Sequence, residues 1–449
     1  MKTTPGRLWA LMLLLAAPLA ACAAGDGTAF QGARIAGISV EFVLFAVILT
    51  GVAVLHDYTL PIAFGGAVVI ALYKIIASPF RTGAGVEGFL LHLGHEWVIL
   101  SNLLLLLVGF ALLAQYFEES RVPDRLPHIL PDDWKGGFVL LVLVFFLSSF
   151  LDNIAAAMIG GAIALIIFKG NVHIGYLAAI VAASNGGGAG SVVGDTTTTM
   201  LWISGISPLE VIEAFIAAAV ALVISGVIAA RQQHALQPIQ KDATVGVEID
   251  WACVAIVAFI LVMAVVVNVT VSVGFNDISD AFPFLGTAVW VAILASVPVR
   301  RPKWHLIPRA AKGALFLVSL VLAASMMPVD QLPPASWQTA FTLGFVSAVF
   351  DNIPLTALAI KQGGYDWGFL AFAVGYGGSM IWFGSSAGVA LSNIYPQAKS
   401  VGQWLRHGWH VAVGYIAGFF VMLALIGFHP GGTPRGSAAP APAAAPATK

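Results

Sequence analysis

Charge is what this sequence most lacks. Only 10% of its 449 residues are Asp, Glu, Lys or Arg, against about 25% in a typical soluble domain. Hydrophobic residues make up 59%. One water-facing globule cannot hide that much apolar surface, so lipid is the solvent that fits. Cysteine is almost missing too. Cys22 and Cys253 alone build neither a disulfide framework nor a zinc site, and Cys253, inside an apolar run, reads as a small core residue. The net charge of -1 argues against nucleic acid, which needs basic patches. The glycine-rich stretch 186–190 is not followed by Gly-Lys-Ser/Thr, so it is no phosphate loop. With no nucleotide motif and no soluble catalytic domain, the chain does not read as an enzyme, and no cofactor is expected.

What is present begins with two unusual ends. Residues 1–22 carry Lys2 and Arg7, an apolar run and then small residues, the pattern of a signal peptide. Leu19-Ala20-Ala21-Cys22 also resembles a bacterial lipobox, which would put a lipid on Cys22; cleavage nearby, or none, fits the residues as well. The tail 429–449 is rich in Pro and Ala and is expected to be disordered.

Between the ends, apolar segments recur at about the 20-residue length of a membrane span. They lie near 38–56, 59–77, 96–116, 136–168, 174–203, 208–230, 250–272, 284–299, 311–328, 337–361, 367–395 and 408–428. The segments 136–168 and 337–361 have polar breaks and read as re-entrant helical hairpins. Those at 174–203 and 367–395 are interrupted by glycine. Lys and Arg in the loops set the orientation. With each hairpin returning to its own side, the loops 117–135, 231–249, 300–310 and 396–407 hold most of the basic residues and fall inside. The predicted fold is an all-α polytopic membrane protein of two inverted repeats, 36–230 and 250–428, joined by a cytoplasmic linker, 231–249. Each repeat has three spans, a hairpin, a broken span and a final span. A bacterial inner membrane is expected, with the mature N-terminus and the C-terminal tail periplasmic.

The repeat is also written in residues. Asp152-Asn153-Ile154 and Asp351-Asn352-Ile353 mark the two hairpin breaks. Gly175-Tyr176-Leu177-Ala178 and Gly368-Phe369-Leu370-Ala371 follow, and then the glycine-rich breaks Ser184–Met200 and Tyr376–Val389. Such breaks survive at membrane depth only where protein or a cavity satisfies the backbone. Unwound carbonyls there suit a cation and helix N-termini suit anions. The Asp-Asn pairs equally suit capping of the second hairpin arms.

Asp152, Asp195 and Asp351 are the carboxylates expected deep in the membrane. Oxygens that suit Na+ surround them: Asn153, Asn185, Thr196, Thr197 and Thr198 in the first half, and Asn352, Ser379, Ser385 and Ser386 in the second. A carboxylate shielded from water takes up a proton more readily, so a shared site at Asp152, Asp195 and Asp351 can trade H+ for Na+. Lys169 and Lys361 are expected to reach the interface, and Glu41 and Glu96 to be solvated near outer span ends. His56-Asp57 reads as an interface pair, and His407 and His410 as interface anchors with Trp404 and Trp409.

The stretch SNGGGAGSVVGDTTTTMLW, with DNIPL and GGSMIWFGSSAGV, resembles the NhaD-type sodium/proton antiporters. Those belong to the ion transporter superfamily, with arsenite permeases and citrate and dicarboxylate carriers. The resemblance spans most of residues 40–428. It implies that Asp152, Asn153, Asn185, Asp195, Thr197, Thr198, Asn352, Ser385 and Ser386 lie in ion-handling segments. It also implies a rocking or elevator-like movement and a homodimer. The chain departs from that pattern at Gly190, Ser191 and Val192, where the family carries a Trp and a Pro. The favoured expectation is Na+ (or Li+)/H+ exchange. A Na+- or H+-coupled citrate-like carrier and a membrane component without transport activity are the alternatives.

Overall fold

The structure is a computed structural model, and it describes residues 33–35, 37–55, 58–122, 130–191, 194–240, 248–274, 281–350 and 352–434. The signal-peptide region 1–22, the His56-Asp57 pair and Asp351 lie outside the described residues. Apart from a small hairpin pairing Arg34–Ile35 with Ile38–Ser39, the described regular structure is helical. Thr59–Ala77, Gly85–Glu119, Pro208–Leu236, Trp304–Ser325 and Val401–Ile426 are long and apolar enough to cross a membrane. Large apolar side chains such as Phe64, Ile76, Phe146 and Leu425 face outward from the helices. A water-soluble surface avoids such exposure on this scale, and lipid accounts for it. The chain is an all-α, multi-pass membrane protein.

The first helices are α1 (Val40–Val54), α2 (Thr59–Ala77) and α3 (Gly85–Glu119). At 35 residues, α3 is about 50 Å long and begins well before the predicted 96–116 span. Between α3 and the final helix of the first half come α4 (Trp134–Ser148), α5 (Asn153–Ile167), α6 (Ile174–Ala189), α7 (Thr196–Ile203) and α8 (Pro208–Ile212). That final helix is α9 (Ala214–Leu236).

The helices α4 and α5 form a hairpin. Asp133 caps α4 by accepting from Lys135 N at 2.9 Å, and Asp152 caps α5 by accepting from Ile154 N at 3.2 Å. At its mouth the Arg231 guanidinium lies 4.8 Å from the Trp134 ring. The Ile167 carbonyl there accepts from Gln240 N at 2.8 Å. Both ends of the hairpin therefore sit beside the C-terminal end of α9.

The second half holds α10 (Trp251–Gly274), α11 (Phe284–Ser296), α12 (Ile307–Ser325), α13 (Trp337–Ser347), α14 (Asn352–Gln362), α15 (Trp367–Gly377), α16 (Ser386–Ile394) and α17 (Val401–Ile426). The pair α13–α14 forms another hairpin. Its first arm starts on a capping box between Ser336 and Thr339, and its mouth closes where Gln362 Nε2 donates to the Pro333 carbonyl at 2.6 Å. The segment after α17 is held here as well. Gly431 N donates to the Tyr365 carbonyl at 2.9 Å, Gly432 N to Glu210 Oε2 at 2.8 Å and His429 N to Asp366 Oδ2 at 2.8 Å. The start of the tail, expected to be disordered, is thus tied down. Because Glu210 lies on α8, just before α9 begins, the two hairpin mouths lie at opposite ends of α9.

Loops that the basic residues assigned to one side do meet. Arg300 pairs with Asp250, Lys303 Nζ lies 2.7 Å from Glu119 Oε1, and Asp250 N donates to the Ser120 carbonyl at 2.9 Å. The Cys253 N–H, then the Arg300 charge, hold the Asp250 carboxyl below the usual range. The hydrogen bond to Glu119 holds Lys303 above its own. Asp250 and Lys303 both stay charged through neutral pH.

Five sequence expectations fail here. Glu41 and Glu96 are buried, not solvated, and so are Lys361, His410 and Trp404, which were placed at the interface. Glu41 accepts from Ser78 Oγ at 2.5 Å, and Lys361 pairs with Glu96. The cause is geometric. The early start of α3 carries Glu96 inward from the tip of its helix, and hydropathy along a chain does not say which helix face meets protein.

The described residues of α6 from Gly175 onward and those of α15 are all buried. Both helices are apolar or small-residue on every side, as a core helix must be. Of the residues that follow, Gly194 and Asp195 in the first break and Gly384 and Ser385 in the second are buried as well. Glycine permits this burial. A Cβ on Gly187 would overlap the Phe145 backbone, and one on Gly194 the Ser148 carbonyl. In the second half a Cβ on Gly377 would overlap the Gly344 backbone, and one on Gly384 the Ala348 carbonyl. Each broken span thus lies directly on the backbone of the first arm of its own hairpin. Gly187→Val and Gly377→Val are expected to cost at least about 1–3 kcal/mol through overpacking. Thermal unfolding of detergent-solubilised protein measures this, and unchanged midpoints in both variants would refute the contact.

Candidate functional site

Asp195 sits where α6 has ended and α7 has not yet begun. Its backbone is extended and its side chain accepts from Thr197 N, so it is the N-cap of α7. An N-cap needs a short side-chain acceptor, and Asp supplies one. Only 2% of its surface is exposed, which makes its partners decisive, because a buried carboxylate must be hydrogen-bonded.

Those partners come from both halves of the chain. Asp195 Oδ1 accepts from Asn153 Nδ2 at 3.2 Å and from Thr197 N at 3.4 Å. Its Oδ2 accepts from Thr197 Oγ1 at 2.7 Å and from Asn352 Nδ2 at 3.3 Å. Asn153 opens α5 and Asn352 opens α14. The N-termini of α5, α7 and α14 thus converge on one carboxylate, and their positive dipole ends favour negative charge there. A second layer extends the network. Asn153 Nδ2 also donates to Asn185 Oδ1 at 3.0 Å, and Asn185 Nδ2 donates to Ser379 Oγ at 2.9 Å. Ser379 lies in the 3-10 turn that ends the first piece of the second broken span.

The sequence-predicted residues therefore divide. The structure brings Asn153, Asn185, Asp195, Thr197, Asn352 and Ser379 into one buried hydrogen-bonded group. Thr198 stands beside them, its hydroxyl donating to the Asp195 carbonyl at 2.9 Å. Thr196 is the buried first residue of α7. Asp152 is half-buried and turned to its capping bond with Ile154 N; none of its hydrogen bonds described here reaches Asp195. Ser385 occupies the position in the second break that Asp195 has in the first. It caps α16 by accepting from Gly388 N at 3.3 Å, and Ser386 is the first residue of that helix. The two breaks are thus built alike, but the first carries a carboxylate and the second a hydroxyl.

Sequence reasoning missed Gly375, where an added Cβ would stand 3.3 Å from Asp195 Oδ2. It also missed Ser149 and Ser191, which pin the first break. Ser149 Oγ donates to the Gly187 carbonyl at 3.0 Å and Ser191 Oγ to the Ser149 carbonyl at 2.5 Å. Trp404 Nε1 supports the second break by donating to the Ser379 carbonyl at 3.1 Å. Glycines and serines at the breaks were visible as a pattern, but nothing local pairs Gly375 with Asp195.

No family model matches the chain. It is similar to a protein named sodium/proton antiporter 1 of Arabidopsis thaliana, with 26% identity over 381 residues. It is also similar to one named sodium/proton antiporter 2 of the same plant, with 25% identity over 394 residues. Each match covers 76% of this chain; it spans 64% of the first protein's length and 90% of the second's.

Thr197→Val keeps the side-chain shape and removes the shortest of these donors to Asp195. A hydrogen bond to a charged group is worth about 1.5–3 kcal/mol, so the variant is expected to lose about that much stability while Thr197→Ser keeps it. Thermal unfolding of the two side by side checks this; equal midpoints would mean that the Thr197 hydroxyl does not support the carboxylate.

Proposed function

We propose that this chain is a secondary transporter that exchanges Na+ (or Li+) for H+ at Asp195. The observation that carries the proposal is the buried carboxylate held between two hairpin tips and two broken spans. The names of the two plant relatives, and the sequence resemblance of the break motifs, point the same way.

Asp195 binds either a proton or a cation, and each expels the other. Asn153 and Asn352 donate to its oxygens. An amide carries a donor and an acceptor on one planar group. Rotating the Asn352 amide therefore presents Oδ1 to a cation at almost the same place, whereas Asn153 can turn only if Asn185 turns with it. Thr197 Oγ1 adds a hydroxyl oxygen, and carboxylate, carbonyl and hydroxyl oxygens suit a hard cation. Asn185 and Ser379 orient Asn153 from behind. Asp152, at the tip of the first hairpin, and Asp351, by its place in the sequence, are further proton carriers in this proposal.

The two hairpins give the site two approaches. Residues 36–230 and 250–428 act as inverted repeats, a reading supported by the hairpin mouths at opposite ends of α9 and by the glycine contacts that recur in both halves. Small movements of one hairpin or the other open Asp195 to one side at a time. Asp195 stays in place while the hairpins move, and no separate cofactor enters.

In everted vesicles from cells lacking their own antiporters, Na+ or Li+ is expected to dissipate a dye-reported pH gradient, and choline is not. Asp195→Asn is expected to abolish this exchange while the protein still inserts. Wild-type exchange in that variant would overturn the assignment. No cation response from folded wild-type protein would remove Na+/H+ exchange itself, and uptake of labelled citrate would then decide for a carboxylate carrier. A shared site also fixes a pH dependence. Protons compete with Na+, so the half-saturating Na+ concentration is expected to rise as pH falls while the maximal rate changes less. A half-saturating concentration independent of pH would show that the two ions use different sites.

A further inference from the structure

A buried ion pair lies away from Asp195, and the proposed exchange makes no use of it. Lys361 Nζ donates to Glu96 Oε1. The two residues are 7% and 1% exposed, so neither charge is solvated. The other Glu96 oxygen, Oε2, has no hydrogen-bond partner among the described residues. Lys361 is thus the partner that offsets this carboxylate. His92, one turn earlier on α3, faces the same region and shares a hydrogen bond of 2.9 Å with Ser325 Oγ of α12. Lys74 of α2 and His95 of α3 are the other charged or titratable groups acting on His92 there.

Such a pair is a poor source of stability. The desolvation penalty of two buried charges roughly cancels their attraction, and apolar side chains of similar volume do as well or better. Its effect is geometric: it fixes where the two backbones stand relative to each other. On one side is α3, which is anchored to the second half at several points. Asn102 Oδ1 accepts from Gly286 N at 2.9 Å, Trp290 Nε1 donates to the Leu105 carbonyl at 3.0 Å and Tyr116 Oη donates to the Arg300 carbonyl at 2.8 Å. On the other side is α14, a single stretch of 11 residues. One end of α14 places Asn352 against Asp195 Oδ2 at 3.3 Å, and the other end carries Lys361. A helix this short moves as a rod of about 15 Å, so a shift at Lys361 is felt at Asn352.

We propose that the Glu96–Lys361 ion pair is a positioning device for the cation site: by tying the far end of α14 to α3 it holds Asn352 in register with Asp195. Glu96 and Lys361 are positioning residues, since neither touches the carboxylate. The proposal rests on the Na+/H+ reading only for its transport readout. Losing the pair lets α14 slide or tilt, and the site then binds cation more weakly even though every group in it is intact.

The test compares Glu96→Gln, Lys361→Met and the charge-reversed double variant, Glu96→Lys with Lys361→Glu, as purified full-length protein in proteoliposomes. Each single variant is expected to raise the half-saturating Na+ concentration about tenfold, with a smaller change in maximal rate per folded protein; the reversed pair is expected to return it to within about threefold of wild type. A pair that merely supports folding would lower the yield of folded protein and leave half-saturation where it was, and that result would overturn the proposal. Where the neutral variants do not fold, Glu96→Asp keeps the charge and shortens the reach. It is expected to raise half-saturation a few-fold, about threefold, and no change would count against the proposal. Amide hydrogen exchange at residues 352–356 provides a readout that needs no flux. Exchange there is expected to speed up in Lys361→Met and to slow again in the reversed pair. Unchanged exchange in both single variants would overturn the coupling. If wild-type protein moves no cation at all, the Na+/H+ reading fails, and the exchange measurement still decides whether α3 holds α14.

Discussion

Everything in this structure depends on one constraint: backbone at membrane depth must find its hydrogen bonds inside the protein. Two spans are broken, so the groups freed at each break need enclosure. The protein supplies it by burying α6 and α15 on every side and by pressing each break onto the first arm of its hairpin. Only glycine lets two backbones approach so closely, and Gly187, Gly194, Gly377 and Gly384 each do so. The hairpins are the walls of the enclosure, and their tips bring polar residues to its centre.

Enclosure in turn makes one carboxylate powerful. In water Asp195 would be one charge among many. It is held among the N-termini of α5, α7 and α14, with amides and a hydroxyl donating to it. A bare buried charge would be costly, and here donors from both halves meet that cost. The same physics operates at Glu96 and Lys361, where burial forces two charges together and sets the place of α14. Asp195 is met by neutral donors, whereas Glu96 is met by the opposite charge of Lys361.

Much of this was legible in the residues. Apolar runs gave the spans, and α2 occupies the predicted 59–77. Polar interruptions gave both hairpins, because a chain of this composition keeps Asp-Asn inside an apolar run only at a turn or a site. The basic loops near 120, 250 and 300 were assigned to one side, and their ion pairs now join them. The errors share one cause. Glu41, Glu96, Lys361, His410 and Trp404 were judged by their position along a span, whereas burial depends on which face of the helix meets protein. The start of α3 was missed because His92, His95 and Glu96 look like the end of a span when no partner is known.

The sequence by itself determined the solvent, the two hairpins, the two breaks and the set of polar residues beside them. Composition and local pattern carry that information, since it concerns one segment at a time. Only the tertiary structure decided that Asp195 gathers Asn153 and Asn352, that Asp152 turns instead to cap α5, and that Lys361 finds Glu96. Those pairings join residues far apart in the chain. They arise from how the helices pack in three dimensions, which no local run of residues specifies.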